Sequence, residues 1–415
     1  MRLFGKPKPG IVVIGGGACA ASAVGTLREQ GYDGKVTVVS DEAEYPYERP
    51  LLSKKYLLDN DSGSTGIHTR QPGWYQENEI ELLFDTRVRR IDPKARRVQL
   101  AGGRDLPYSR LLIATGGRAR RLPGPRSDRL LYLRTRADAQ HLGEQLKAGQ
   151  HLVILGAGFI GCEVAAAARQ RGLRVTLIDM RAGPLNRDLG DRLGGVLAEI
   201  HRDNGAELRT GERIRTVTET PAGLVVETDK SRLDCDVVLA ALGMQPNSDP
   251  FADTGLEIAD GLVVDEYGRT NADDVFAAGD VASQYNPTFG RRLRVEHFDN
   301  AVKAGASAAT NMIGKPAPLV DPLWFWTDQY GHNIQAVGQL GRGCTEVVRG
   351  EVDELRFSVF YLRDGLVRAV LALNRPRDVL HGRKLVLNEI PVSAEVLADP
   401  GTDLAALLRA HRPPR

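Results

Sequence analysis

Two stretches of the chain carry residue types and spacing suited to holding a phosphate group. Gly15-Gly16-Gly17-Ala18-Cys19-Ala20 reads G-x-G-x-x-A, and Gly156-Ala157-Gly158-Phe159-Ile160-Gly161 reads G-x-G-x-x-G. Each is followed by an acid, Asp41 at 26 residues after Gly15 and Asp179 at 23 residues after Gly156. Glycines at these positions permit a tight turn and let backbone N–H groups approach a pyrophosphate. A helix starting there adds partial positive charge, and the carboxylate can accept hydrogen bonds from a ribose.

The surrounding residues supply the elements such chemistry needs. Ile11-Val12-Val13-Ile14 is a short β-branched run, and an alanine-rich stretch to Gln30 suits a helix that Gly31 ends. A second strand, Val36 to Val39, then delivers Ser40-Asp41-Glu42. Leu152 to Leu155, a helical stretch to Arg171, Gly172 and the strand Val175 to Ile178 repeat the pattern. One glycine-rich turn is weak support for nucleotide binding. Two copies with strand, helix, strand and acid in register predict two bound dinucleotides. Two more buried strands end in turns: Arg110 through Ala114 and Thr115 to Gly116-Gly117, and Asp274 through Ala278 to Gly279-Asp280. In open α/β sheets, ligands bind at such carboxyl ends.

At 415 residues the chain predicts two to three domains. A hydrophobic share of 42% and a charged share of 26% are ordinary for globular proteins and exclude collagen-like, coiled-coil and wholly disordered readings. A net charge of +2 gives no bulk attraction to nucleic acid or to an anionic membrane. The 45 glycines, about 11% of the chain against an average near 7%, are the one unusual value, and many fall in the turns above. Cys19, Cys162, Cys235 and Cys344 are far apart, with no disulfide framework, no CxxC pair and no metal-ligand spacing, so no metal site is expected and a reducing, cytoplasmic setting is. No apolar run is long enough to span a membrane. The basic start, MRLFGKPKPG, followed by apolar and small residues, imitates a secretory leader, but the first glycine turn explains the same residues better.

Several segments in order extend the pattern: Tyr45-Pro-Tyr-Glu-Arg-Pro-Leu-Leu-Ser-Lys54, Leu133-Arg-Thr135, Gly156 to Glu163, Leu242-Gly-Met-Gln-Pro-Asn247, Val275 to Asp280, Glu296-His-Phe-Asp-Asn-Ala301 and Trp324-Phe-Trp-Thr-Asp-Gln-Tyr330. On these residues the chain, from Ile11 to about Leu407, resembles the FAD-dependent pyridine nucleotide reductases of the oxygenase-coupled ferredoxin reductase type. The resemblance implies an α/β architecture like that of glutathione reductase, with two Rossmann-like domains and a carboxy-terminal α+β domain. The expected boundaries are 1–117 with 244–320 for FAD, 118–243 for NAD and 321–415 for the carboxy-terminal domain.

The resemblance also implies residue roles. FAD would contact Gly15, Gly17, Ala18, Cys19 and Ala20, with Asp41 on the adenine-side ribose. Arg49, Val88, Ala114, Thr115, Gly116, Arg134, Gly279, Asp280, Glu296 and Phe298 align with further cofactor-contacting positions, although Arg134 could equally be a surface arginine. NADH would use Gly156, Gly158, Phe159, Ile160, Gly161, Asp179 and Gly243. Asp179 suits ribose hydroxyls and repels a 2′-phosphate, which favours NADH over NADPH unless Arg174 or Arg181 compensates. Lys54 and Glu163 are expected to converge where the two nucleotide domains meet, as an ion pair that positions the nicotinamide and stabilises charge on reduced flavin. Trp324, Phe325 and Trp326 read either as a core strand or as rings that keep water from the flavin, Trp326 among them. His297 is an incidental neighbour.

The implied reaction takes a hydride from NADH to FAD and passes single electrons to a [2Fe–2S] ferredoxin that feeds a cytochrome P450 or Rieske oxygenase. Of the basic clusters Arg87 to Arg90, Arg118 to Arg121 and Arg291 to Arg294, the last is the preferred candidate for meeting an acidic partner. Two alternatives stand beside this reading. Disulfide or NADH-oxidase chemistry needs a nucleophilic cysteine that the Arg49 to Lys54 segment lacks. A redox-sensing protein resembling the apoptosis-inducing factors would turn over slowly with every acceptor.

Overall fold

The computed structural model describes residues 9–58, 66–340 and 343–411, so most of the leader-like start, residues 1–8, lies outside the described residues. The chain divides into two compact units. One comprises 1–48, 64–118 and 245–321, the other 49–63, 119–244 and 322–415.

The first unit is built on a five-stranded parallel sheet in the order Val275–Ala277, Arg110–Ile113, Ile11–Ile14, Val36–Val39, Ile80–Leu83. Its strands read as continuous β-branched and aliphatic runs because both faces are covered. Ile11 and Val13 point into one core, with Ala23, Leu27 and Ala308 of two helices, while Val12 and Ile14 point into the other, with Ile91, Val98 and Phe251. Ile14 is level with Val39 and with Ile113, and Ile113 with Ala277, so four strands end along one edge. The helix Ala18–Glu29 follows the first glycine turn, and Gly31, at φ +83°, ends it as the sequence indicates. The helix Phe298–Met312 lies so close to it that a Cβ on Gly305 would fall 2.2 Å from the carbonyl oxygen of Cys19.

The second unit holds a parallel sheet in the order Glu207–Thr210, Arg174–Asp179, His151–Leu155, Val237–Ala240, Leu130–Leu131. The helix Phe159–Gln170 connects its first two long strands, and Gly172 (φ +80°) ends that helix as Gly31 ends the other. The same unit contains an antiparallel five-stranded sheet in the order Trp324–Gln329, His332–Gly338, Leu366–Leu373, Arg356–Arg363, Thr345–Glu351. The helices Pro376–Leu387 and Leu404–Ala410 bury Val379, Leu385 and Leu404 in its core. The expected α/β class with an α+β carboxy-terminal part is what the structure contains.

Packing at two glycines predicts opposite effects on stability. Gly305→Ala forces two helices apart and should destabilise the protein by about 1–3 kcal/mol. Gly195, exposed within the helix Asn186–Asp203, has nothing within 4 Å of a would-be Cβ. Gly195→Ala should therefore stabilise by about 0.5–1 kcal/mol. Thermal denaturation at fixed nucleotide saturation checks both.

His201 predicts a pH dependence. It is fully buried, and burial lowers its imidazole from 6.5 to about 4, against a weaker opposing pull from Gln329. The folded state thus disfavours the protonated ring that the unfolded chain accepts. Its contribution is complete above pH 6.5 and is lost as pH falls through the window down to about 4. His201→Asn should flatten the loss of stability across that window by about 2–3 kcal/mol relative to the parent, measured by urea denaturation at successive pH values.

Candidate functional site

In the first unit, the carboxyl edge of the parallel sheet gathers most of the residues singled out from the sequence. Gly15 leaves its strand at φ +120°, donates its N–H to Val39 O at 2.8 Å, and has no room for a side chain, since a Cβ would lie 2.2 Å from Ala114 O. Gly17 caps the following helix, in which Ala18, Cys19 and Ala20 are the first residues. Its φ is −93° and a Cβ there would meet nothing within 4 Å. The turn is therefore tight where it meets protein and open where a pyrophosphate would approach, which is the division of labour a dinucleotide turn requires. FAD is compatible with this cradle.

Ala114, Thr115 and Gly116 leave the same edge. Thr115 donates its hydroxyl to Asn247 O at 3.1 Å, and Asn247 Nδ2 donates to Thr115 O at 3.0 Å. Gly279 packs against Cys19, which a Cβ would approach to 3.2 Å, and lies close to Ala301 in the first turn of the helix that begins at Phe298. Asp280 next to it is a buried carboxylate. Burial, with a smaller effect from Asp280, pushes the Cys19 thiol well up. Burial also holds His297, just before Phe298, down to about 4, so its ring is neutral near pH 7. Asp41 extends from the edge with its side chain 62% exposed, 3.9 Å from Arg87. Val88 is half-buried at the start of the antiparallel strand Val88–Asp92.

The second unit repeats the cradle. Gly156 has φ +102° and a would-be Cβ 2.5 Å from Ala241 O. Gly161 has its own would-be Cβ 2.0 Å from Gly156 O, so helix and turn pack without space between them. Gly158 caps the helix at φ −80° and faces open space, with Phe159 and the partly exposed Ile160 beginning the helix. Asp179, at the end of its strand, accepts hydrogen bonds from Ala157 N and Arg181 N, both at 2.8 Å. A carboxylate offers about four acceptor positions, so capacity for ribose hydroxyls remains. Gly243, at φ +85°, follows the neighbouring strand and accepts from Arg120 N at 3.0 Å. Arg134 and Arg49 also belong to this unit, joined by a bond from Arg49 Nη1 to Arg134 O at 2.8 Å.

Beside this second turn lies a buried charge. Glu163, 5% exposed on the helix Phe159–Gln170, pairs with Lys54 at 2.8 Å from Nζ to Oε1. Lys54 also donates to Pro50 O at 3.1 Å, which leaves a third N–H available. Two further partners of Glu163 were not anticipated from the sequence: Ser53 donates to Oε2, and Thr327 donates to Oε1 at 2.6 Å. They stand 110 and 164 residues from it, and nothing local in the sequence signals that two hydroxyls converge on one carboxylate. Both do lie inside segments that carry the family resemblance.

The aromatic run occupies the edge strand Trp324–Gln329, where Trp324 and Trp326 stack with centroids 5.0 Å apart and Phe325 meets Phe159 edge-on at 5.1 Å. The basic cluster preferred for partner docking is largely committed within its own unit. Arg294 pairs with Asp260 at 2.9 Å and Glu296 at 2.7 Å, and Arg292, though exposed like Arg291, donates to Val264 O and Ser283 O. Burial raises the thiol pKa of Cys162 as well as Cys19, and that of Cys235 to about 12, so none of the three is a ready thiolate. Among the described residues there is no cluster of ligands that could hold a metal ion, and no helix is long and apolar enough to cross a membrane.

Comparison with known proteins gives two family matches. Residues 9–305 match the pyridine nucleotide-disulphide oxidoreductase model, and 324–408 match the reductase C-terminal model. The chain is 38% identical over 401 residues to the anthranilate 1,2-dioxygenase system ferredoxin–NAD(+) reductase component of Burkholderia cepacia, covering 96% of this chain and 98% of that protein. It is 35% identical to rhodocoxin reductase of Rhodococcus erythropolis, covering 97% and 95%. It is 33% identical to putidaredoxin reductase of Pseudomonas putida, covering 97% of each. Among solved structures, the covalent putidaredoxin reductase–putidaredoxin complex matches with a TM-score of 0.92 at 32% identity, over 98% of this chain and 99% of that one. A water-forming NADH oxidase from Lactobacillus brevis, at 21% identity and a TM-score of 0.85 over 97% and 98%, shares the fold.

The open glycine makes a prediction that separates binding from folding. Gly158→Ala adds a methyl group at a permitted φ with no protein neighbour, so the melting temperature should hold while NADH affinity falls about tenfold or more by calorimetric titration. Gly156→Ala should instead cost stability, because a side chain there meets backbone at 2.5 Å.

Proposed function

The chain belongs to the pyridine nucleotide-disulphide oxidoreductase family, and on that footing we propose that it is an NADH-dependent FAD reductase delivering electrons to a [2Fe–2S] ferredoxin. That ferredoxin supplies a cytochrome P450 or a Rieske oxygenase. The observation that carries the reading is the paired cradle: two glycine turns, one in each unit, tight against their own sheets and open at Gly17 and Gly158. One turn takes FAD and the other NADH. The domain division that fits this assignment is 1–117 with 244–320 for FAD, 118–243 for NAD and 321–415 for the carboxy-terminal domain.

When bound, FAD accepts a pair of electrons as hydride and releases them one at a time, which is the chemistry that joins a two-electron donor to a one-electron carrier. The protein's residues bind and orient. Backbone N–H groups after Gly15 and Gly156 hold the pyrophosphates. Asp41 and Asp179 accept from ribose hydroxyls, and Asp280 accepts from the ribityl chain of the flavin. Thr115 and Arg134 act on the FAD side. Lys54 and Glu163 position the nicotinamide and steady the charge that moves with the hydride. Trp326 and its aromatic neighbours exclude water from the transfer.

The buried, raised-pKa thiols of Cys19, Cys162 and Cys235 argue against a disulfide-exchange cycle. The four cysteines are all free thiols, which suits the cytoplasm, where NADH is also available.

Two measurements test the reading. Lys54→Ala should slow NADH-dependent flavin reduction about a hundredfold in FAD-saturated protein; an unchanged rate together with unchanged FAD retention would remove the assigned role. Steady-state kcat/KM should favour NADH over NADPH by about tenfold or more, since repulsion of a 2′-phosphate by Asp179 needs to cost only about 1.4 kcal/mol for that. A preference for NADPH would overturn the assignment of Asp179.

A further inference from the structure

Glu163 stands at the end of a chain of hydrogen bonds whose direction can be assigned atom by atom. The oxygen Oε1 of Gln329 can only accept, so His201 Nε2, 3.0 Å away, is the protonated ring nitrogen. Nδ1 must then accept, and Tyr330 donates its hydroxyl to it at 3.2 Å. Burial keeps this ring neutral and the Tyr330 phenol protonated, in agreement with that assignment. Gln329 Nε2 donates to Thr327 Oγ1 at 3.2 Å, which commits the single hydroxyl proton of Thr327 to Glu163 Oε1 at 2.6 Å. Thr327, Gln329 and His201 are each at most 1% exposed, so no water competes for these partners.

We propose that Thr327 and Ser53 are positioning residues that fix the carboxylate of Glu163, and through it the ammonium of Lys54, with Gln329 and neutral His201 orienting the Thr327 hydroxyl. The inference rests on the reading of Lys54 and Glu163 given above. The geometry supports it in three ways. Each oxygen of Glu163 has its own hydroxyl donor, one from the segment before Lys54 and one from the edge strand of the carboxy-terminal sheet, so rotation of the carboxylate breaks both bonds. Lys54 shares Oε1 with Thr327, so losing the hydroxyl frees that oxygen to swing away from the ammonium. Without the Gln329 donor, the Thr327 hydroxyl could rotate and offer its lone pairs, instead of its proton, to the carboxylate. The carboxy-terminal sheet thereby supplies part of the geometry of the nucleotide unit's reactive pair.

The test uses FAD-loaded full-length protein. Thr327→Val keeps the shape and removes the hydroxyl, Thr327→Ser keeps the hydroxyl, and Ser53→Ala serves as a second variant should the valine fail to fold. Single-turnover reduction by NADH gives the rate of hydride transfer apart from NADH affinity, and crystal structures of the variants give the Lys54–Glu163 distance. Thr327→Val and Ser53→Ala should each slow hydride transfer about tenfold with NADH affinity unchanged within about twofold. Both should show Lys54 Nζ beyond ion-pair range of Glu163, while Thr327→Ser behaves as the parent. Glu163→Gln should lose as much, and adding Thr327→Val to it should lose nothing further. Parental rates and an intact ion pair in Thr327→Val and Ser53→Ala, alongside a slow Glu163→Gln, would overturn the proposal and leave the reading of the ion pair standing. A parental rate in Glu163→Gln would overturn that reading, and the proposal with it.

Discussion

A strand in this protein has to hand over to a helix within three residues, at a point where its neighbour's backbone leaves no space for a side chain. That constraint recurs in both units, at Gly15 against Ala114 O and at Gly156 against Ala241 O. Only a glycine meets both the positive φ and the close approach. Once it is met, the helix N-terminus sits at the carboxyl edge of the sheet, and the glycine that caps each helix, Gly17 or Gly158, presents bare backbone to open space. Each cradle thus follows from the level ending of parallel strands.

The second unit adds a different demand, which is a carboxylate taken almost wholly out of water. An unpaired buried charge is strongly destabilising, whereas one with charge-assisted hydrogen bonds is tolerated. Glu163, on the helix beside the glycine turn, meets the demand with donors from two other parts of the chain: Ser53 and Lys54, and Thr327 of the carboxy-terminal sheet. Satisfaction of one charge therefore ties the segment 49–58, the nucleotide helix and the edge strand of the carboxy-terminal sheet together.

Much of this was legible in the residues. The strands Ile11–Ile14 and His151–Leu155, their helices and the glycines at 31 and 172 that end them are dictated locally, by β-branched runs, alanine-rich stretches and positive-φ positions. The ends of Arg110–Ile113 and Val275–Ala277 were legible for the same reason. The antiparallel sheet from Trp324 to Leu373 was visible only as an aromatic run: three of its pairings are local hairpins, but the one that assembles them into a sheet joins Ile334 with Leu373, far apart in sequence. The hydroxyls around Glu163 were hidden for that reason too. Arg294 looked like a surface cation, and only the fold reveals that Asp260 and Glu296 occupy it.

The central claim is that two electrons enter from NADH and leave singly to an iron–sulfur partner. It is tested most directly by anaerobic titration of the NADH-reduced, FAD-loaded protein with an oxidised [2Fe–2S] ferredoxin, followed by flavin absorbance. Two equivalents of ferredoxin, each taking one electron, should reoxidise each FAD. A flavin that stays reduced with every such ferredoxin, yet is reoxidised rapidly by a disulfide or by oxygen, would contradict it.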